Sequence, residues 1–144
     1  MFQLLSFGQE ERKEVSQTPV VKENVKEDSE LTFVELEAPP IYPGCENTPI
    51  AEQRECFNTK LGEHVVRHFR YPKEALNNNI QGRVLVQFII DQEGRVEKIV
   101  TRGPHPLLEN EAFRIINRLP KMTPGKQKGK PVKVKYAIPI TFRI

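Results

Sequence analysis

Apolar and polar positions alternate almost without interruption through the last thirteen residues, Val132–Ile144 (VKVKYAIPITFRI). Val132, Val134, Tyr136, Ile138, Ile140, Phe142 and Ile144 are apolar, and Lys133, Lys135, Ala137, Pro139, Thr141 and Arg143 between them are polar or small. Strand side chains change face with a period of two, so this stretch predicts one long strand with a single buried face. Pro139 has no N–H to give to a ladder, which predicts a position at a sheet edge. With proline tolerated where the ladder side is open, the odd-numbered residues turn their backbone groups outward and the even-numbered ones pair inward. Two lysines, an arginine and a proline blunt such an edge against aggregation; its other use is to accept a partner strand.

Upstream, the period changes. Phe57, Leu61, Val65 and Phe69 recur every fourth residue after Thr48-Pro49 and predict an amphipathic helix ending near Phe69, with Arg67, His68 and Arg70 on its solvent face. Tyr71-Pro72 opens a short helical piece that the Asn77–Asn79 run ends. Gly82–Thr101 reads as a hairpin: Val84, Val86, Phe88 and Ile90 share a face, the turn is DQEG, and Val96 and Val100 resume the apolar spacing. Leu85 and Ile89 make its first strand apolar on both faces, as expected of the central strand. Leu108, Ala112, Ile115, Ile116 and Leu119 then mark a helix stopped by Pro120, and a basic loop over residues 122–131 leads to the last strand.

The N-terminal stretch differs in kind. Residues 9–30 are charged, lack aromatics and show no period, which predicts a flexible linker; Leu31–Leu36 (LTFVEL) regains apolar content as a short strand candidate. Residues 1–8 (MFQLLSFG) match the cleavage end of a secretory signal peptide without its basic start, and a run of accidental hydrophobicity fits them equally well. Residues 9–37 carry nine acids against four bases, whereas residues 71–144 carry fourteen bases against six acids. A basic globular half behind an acidic leader points to an anionic partner or to a solvated charged surface.

Candidate chemistry is sparse. No phosphate loop, nucleophile elbow or metal triad is present, so no catalytic residue and no cofactor is expected. Lys121, Lys126, Lys128, Lys130, Lys133 and Lys135 cluster, but few aromatics lie among them to stack on bases, which argues against a nucleic-acid partner. Cys45 and Cys56 are the two cysteines. An even pair beside an export-like start favours a disulfide; reduced buried thiols are an alternative, and zinc held with His64 and His68 is a weaker one because the cysteine spacing is far from the usual two to four residues.

From Tyr71 onward the sequence resembles the C-terminal domain of TonB, the energy-transducing protein of Gram-negative envelopes. The matching features are Tyr71-Pro72 with Ala75, Gly82-Arg83-Val84, the turn and restart DQEGRV over Asp91–Val96, Pro124-Gly125 after a helix, and the closing Phe142-Arg143-Ile144. PPIYPGCE and ECF upstream resemble a cysteine-bearing extension of some envelope branches of the family, which strengthens the Cys45–Cys56 disulfide.

The resemblance implies an α+β fold, two helices packed on a three-stranded antiparallel sheet with an extended N-terminal segment. It divides the chain into a signal-peptide remnant (1–8), an acidic linker (9–38) and a TonB C-terminal-like domain (39–144). The implied function is non-enzymatic: a periplasmic module that grips the TonB box of outer-membrane receptors by strand addition and supports uptake of siderophore or another nutrient. The backbone edge at Lys133, Lys135, Ala137, Thr141 and Arg143 is the expected receptor-peptide site. Further implied partners are the ExbB–ExbD motor, through an inner-membrane anchor in a full-length form, and a second copy in a homodimer. The family's anchor and proline-rich spacer have no counterpart in this sequence, which leaves a freestanding periplasmic adaptor as the alternative.

Overall fold

The computed structural model describes residues 30–32 and 36–144. The expectations for residues 1–8, for the leader up to residue 29 and for residues 33–35 lie outside the described residues. The elements in order are β1 (Glu30–Thr32), a 3-10 turn (Ile50–Glu52), α1 (Gln53–His68), α2 (Lys73–Asn77), β2 (Gly82–Ile90), β3 (Val96–Arg102), α3 (Pro106–Asn117), β4 (Gly125–Gln127) and β5 (Lys130–Phe142). The class is α+β, as the sequence implies, with one short helix and two short strands beyond the simpler plan.

The sheet is assembled on β2. It pairs antiparallel with β5 from Gly82↔Phe142 to Ile90↔Val134 and antiparallel with β3 on its other side, so β2 is central as its two apolar faces require. Val84, Val86, Phe88 and Ile90 meet Val134, Tyr136, Ile138, Ile140 and Phe142 on one face, all buried. Phe57, Leu61 and Val65 of α1 and Leu108, Ala112, Ile115 and Ile116 of α3 close that face from above. Fully burying an aliphatic or phenyl side chain of this kind stabilises by about 1.5–3 kcal/mol, so this one layer holds most of the driving force. Tyr136 stands at its middle, edge-on to Phe57 and Phe88 with centroids 5.2 and 5.6 Å away, and its hydroxyl meets Asn58 Oδ1.

One expectation fails in β3. Gln87 is opposite Val100 while Ile89 is opposite Glu97, so an extra residue bulges near Lys98, whose φ is +50°. A bulge exchanges the faces of whatever follows it. Val96 therefore lies beside Ile90 on the core face, whereas Val100 is 49% exposed on the other.

The β2–β3 turn depends on a glycine. Gly94 has φ +87°, and a Cβ there would sit 1.7 Å from the Met122 carbonyl oxygen. Met122 N–H donates to Gly94 O at 2.9 Å, which ties the turn to the segment after α3. Gly94→Ala is expected to destabilise the domain by more than about 2 kcal/mol, through positive φ and the backbone clash together. Urea denaturation followed by circular dichroism checks this.

Candidate functional site

Geometry of β5 decides what its backbone offers. Pro139 lies in register with Leu85. A residue without N–H sits without loss only at a position whose backbone groups face away from the neighbouring strand, so Pro139 and the other odd-numbered residues of β5 direct N–H and C=O away from β2. On that outer side β5 has one strand companion among the described residues, β1. On the β2 side, beyond Ile90, Lys130–Val132 pair with Gln127–Gly125 of β4 through a two-residue turn, Lys128-Gly129, in which both φ values are positive (56° and 79°); Lys126, opposite Pro131, turns its backbone to Ala38, so the even-numbered Lys130 and Val132 are the ones that face β4. On the outer side Lys133–Lys135 then run parallel to Glu30–Thr32 of β1. Among the described residues the strand pairing recorded on this side goes no further toward Phe142. The final strand is thus second in the sheet rather than at its edge as the sequence predicts: β1 lies outside it, but covers only Lys133–Lys135.

The expected peptide-binding residues fall along this line. Lys133 and Lys135 lie beside Glu30 and Thr32, Ala137 and Thr141 are opposite Gln87 and Arg83 across the inner ladder, and Arg143 follows the end of the strand. The Lys133 ammonium reaches over the outer sheet face to Glu97 at 3.2 Å. Both partners are about a third exposed, so the ion pair contributes well under 1 kcal/mol after solvent screening.

A strap feeds β1 to this side of β5. Ala38 exchanges backbone hydrogen bonds with Lys126 (3.2 and 2.8 Å), and Ile41 does the same with Thr123 (3.0 Å each). Glu37 closes the strap at its far end: its N–H donates to Gln127 Oε1 and its carboxylate accepts from Lys128 N–H, both at 3.0 Å. Leu36 and Pro40 lie so near Gly125 that a Cβ there would stand 3.0 and 3.3 Å from them. At the other end Cys45 and Cys56 form a disulfide with Cα atoms 6.1 Å apart, fixing the strap to the first turns of α1. Both thiols are consumed, which removes the zinc and reduced-thiol alternatives. Gln53, buried at the start of α1, donates through Nε2 to the carbonyls of Cys45 (2.8 Å) and Thr48 (3.0 Å) and so orders the loop inside the disulfide.

Where α1 ends against α3, the structure assembles a polar cluster that periodicity does not reveal. Glu111 is buried on the core side of α3; its carboxylate accepts from Arg114 Nε and Nη2, both at 2.8 Å, and from Arg70 N–H at 2.8 Å. Arg114 also donates to the His68 carbonyl. A buried carboxylate needs this degree of pairing. His64, also buried, meets the Ile115 carbonyl through Nε2 at 2.8 Å, which requires the Nε2–H tautomer. Burial chiefly, with the charges of Arg67 and Arg118, holds the His64 imidazole below its usual range, although the Ile115 carbonyl works the other way. His68 is lowered too, by desolvation and then by Arg118, Arg67, Arg114 and Arg70. His105 has a capping role: its Nδ1 accepts from Leu107 N–H at 3.0 Å at the start of α3.

This arrangement offers the outer backbone of β5 and a held strap. Residues 67–144 match the family described as Gram-negative bacterial TonB protein C-terminal, and the chain belongs to that family. Its members' domain is non-catalytic and associated with transport, and membership implies an envelope location and a TonB-like energy-transduction module. No curated protein matches the chain. Among the described residues no helix is long and apolar enough to cross a membrane.

The strap depends on its disulfide. Replacing Cys45 and Cys56 together by serine is expected to cost ~2–3 kcal/mol from the restored freedom of the unfolded loop, plus the polar hydroxyl left where Cys45 is fully buried. Chemical denaturation with and without reductant measures it. The histidines set a pH dependence. A base whose folded pKa is depressed binds more protons when unfolded, so its contribution is complete above about pH 6.5 and declines as pH falls below that value. The melting temperature is expected to fall between pH 7.5 and 5.5, and the fall should shrink in a His64→Gln, His68→Gln variant; calorimetry across that range decides it.

Proposed function

We propose that the domain receives the TonB box of an outer-membrane receptor as an added strand along the outer side of β5, and that this grip supports active uptake of a siderophore or another nutrient. The peptide lies against the backbone of Lys133, Lys135, Ala137 and Thr141, with Arg143 at the end of the track. Backbone pairing demands little of the side chains, so one domain serves receptors whose sequences differ outside the box. In a full-length form carrying an inner-membrane anchor, the ExbB–ExbD motor is the source of work, and the domain's place is the periplasm. A single observation supports the reading most directly: this side of β5 already takes an added strand, since β1 runs parallel beside Lys133–Lys135.

Proline substitution separates grip from fold. Ala137→Pro removes one outward N–H and leaves the inner ladder intact, so binding of a synthetic TonB-box peptide is expected to weaken at least about tenfold while the melting temperature changes by no more than a few degrees. Val134→Pro removes an inward N–H and a fully buried side chain and is expected to destabilise by about 3 kcal/mol or more. Isothermal titration with thermal melts reads both. Loss of fold in Ala137→Pro, with Val134→Pro tolerated, would show that the outward and inward positions are reversed.

A further inference from the structure

We propose that β1 is a built-in occupant of the receptor edge, a strand of the chain's own that an incoming peptide must displace at Lys133–Lys135. The inference rests on the receptor reading above and concerns its regulation. With the odd-numbered residues of β5 facing outward, the register Glu30↔Lys133, Leu31↔Val134, Thr32↔Lys135 sets Leu31 between the carbonyl of Lys133 and the N–H of Lys135. β1 therefore uses the same backbone groups that a receptor strand needs.

Three residues in a parallel pair hold weakly by themselves, because parallel pairing is the less stable kind and strands this short are marginal. What keeps β1 in place is its delivery. Glu37 is clasped by Gln127 and Lys128, Ala38 and Ile41 are bonded to the chain around β4, and Cys45 is covalently fixed to α1. A strand tethered a few residues from its site acts at an effective concentration in the millimolar range. The charge pattern works in the same sense: the acid-rich stretch that precedes β1 in sequence leads to a strand lying beside the basic β4–β5 hairpin with Lys126, Lys128, Lys130, Lys133 and Lys135.

Such an occupant is strong enough to keep the edge from pairing with another chain and weak enough to leave. An incoming strand that runs in the direction of β1 and continues past Lys135 along Ala137 forms pairs that three residues do not. Displacement, not simple addition, is then the binding event, and the partner's direction is set: parallel to β5.

The test uses the full-length chain and its Leu31→Pro variant, which removes the amide facing Lys133. The first probe is a fluorescent peptide of residues 27–36 (EDSELTFVEL). It is expected to bind Leu31→Pro at least about tenfold more tightly than the unaltered chain, and the Lys135 amide hydrogen should exchange at least about tenfold faster in the variant. Equal affinities with equal exchange would overturn the proposal. Glu37→Ala loosens the strap without placing proline in the strand and should shift both readouts the same way by a smaller factor; no shift in a variant that retains its fold also counts against self-occupancy. A TonB-box peptide as second probe keeps the two readings apart. If it binds the unaltered chain and Leu31→Pro equally, β1 is no competitor and the receptor reading stands. If it binds neither while the 27–36 peptide distinguishes them, self-occupancy stands and the receptor reading falls.

Discussion

The antiparallel ladder between β2 and β5, unbroken from Gly82↔Phe142 to Ile90↔Val134, is the constraint from which the remaining geometry follows. Its period of two places five consecutive even-numbered side chains of β5 in the core, and a slip by one residue would carry them all to the other face. The register is therefore held by burial over its whole length. Once it is set, Pro139 has one tolerable orientation, the odd-numbered backbone groups turn outward, and the side of β5 that β1 joins is defined.

That side has to satisfy two opposed requirements. A long row of outward N–H and C=O groups promotes unwanted pairing between chains, yet it is also what allows recognition that depends little on side chains. The domain meets the first with lysines, a proline and the short strand β1 at Lys133–Lys135, which covers three residues of the row. Stability is concentrated elsewhere, in the layer between sheet and helices and in the Glu111–Arg114–Arg70 cluster that joins the ends of α1 and α3. The outward backbone of β5 and the groups that hold the core are thus different ones.

Legibility in the sequence followed the range of the interactions. The alternation of β5, the fourfold spacing in α1, the face of α3 and the DQEG turn are local patterns and their elements are present, but α1 ends at His68 and leaves Arg70 outside it, and the stretch expected as a basic loop over 122–131 holds β4 and the start of β5. The even cysteine count and the family resemblance favour the disulfide, while reduced thiols and zinc stay open in the sequence; the fold sets the two Cα atoms 6.1 Å apart and joins them. The bulge at Lys98 was not readable, since lysine gives no local signal for positive φ and Val96 and Val100 keep the spacing of an unbroken strand. Nor was the strap: Glu37 finds Gln127 and Lys128 ninety and ninety-one positions later, and nothing near Glu37 anticipates them. Glu111 reads as one more polar residue of a helix, because one of its partners, the Arg70 N–H, lies forty-one positions earlier in the segment after α1.

The disulfide also has a mechanical meaning. Tension applied to the chain upstream of Cys45 does not have to stretch residues 46–55; the Cys45–Cys56 bond passes it straight into the body of α1, whose Phe57 and Leu61 are embedded in the core. Upstream of that weld the load meets, among the described residues, the packing of Tyr42 on Phe57, the hydrogen bonds of Ile41, Ala38 and Glu37, and the three-residue pairing of β1. A pull from the N-terminal side would peel β1 and the strap first and come to rest at a covalent stop, so the domain behaves like a catch with a short, defined travel. Reduction of the bond would remove the stop, and the same pull would then reach the turn before α1 and unravel it residue by residue.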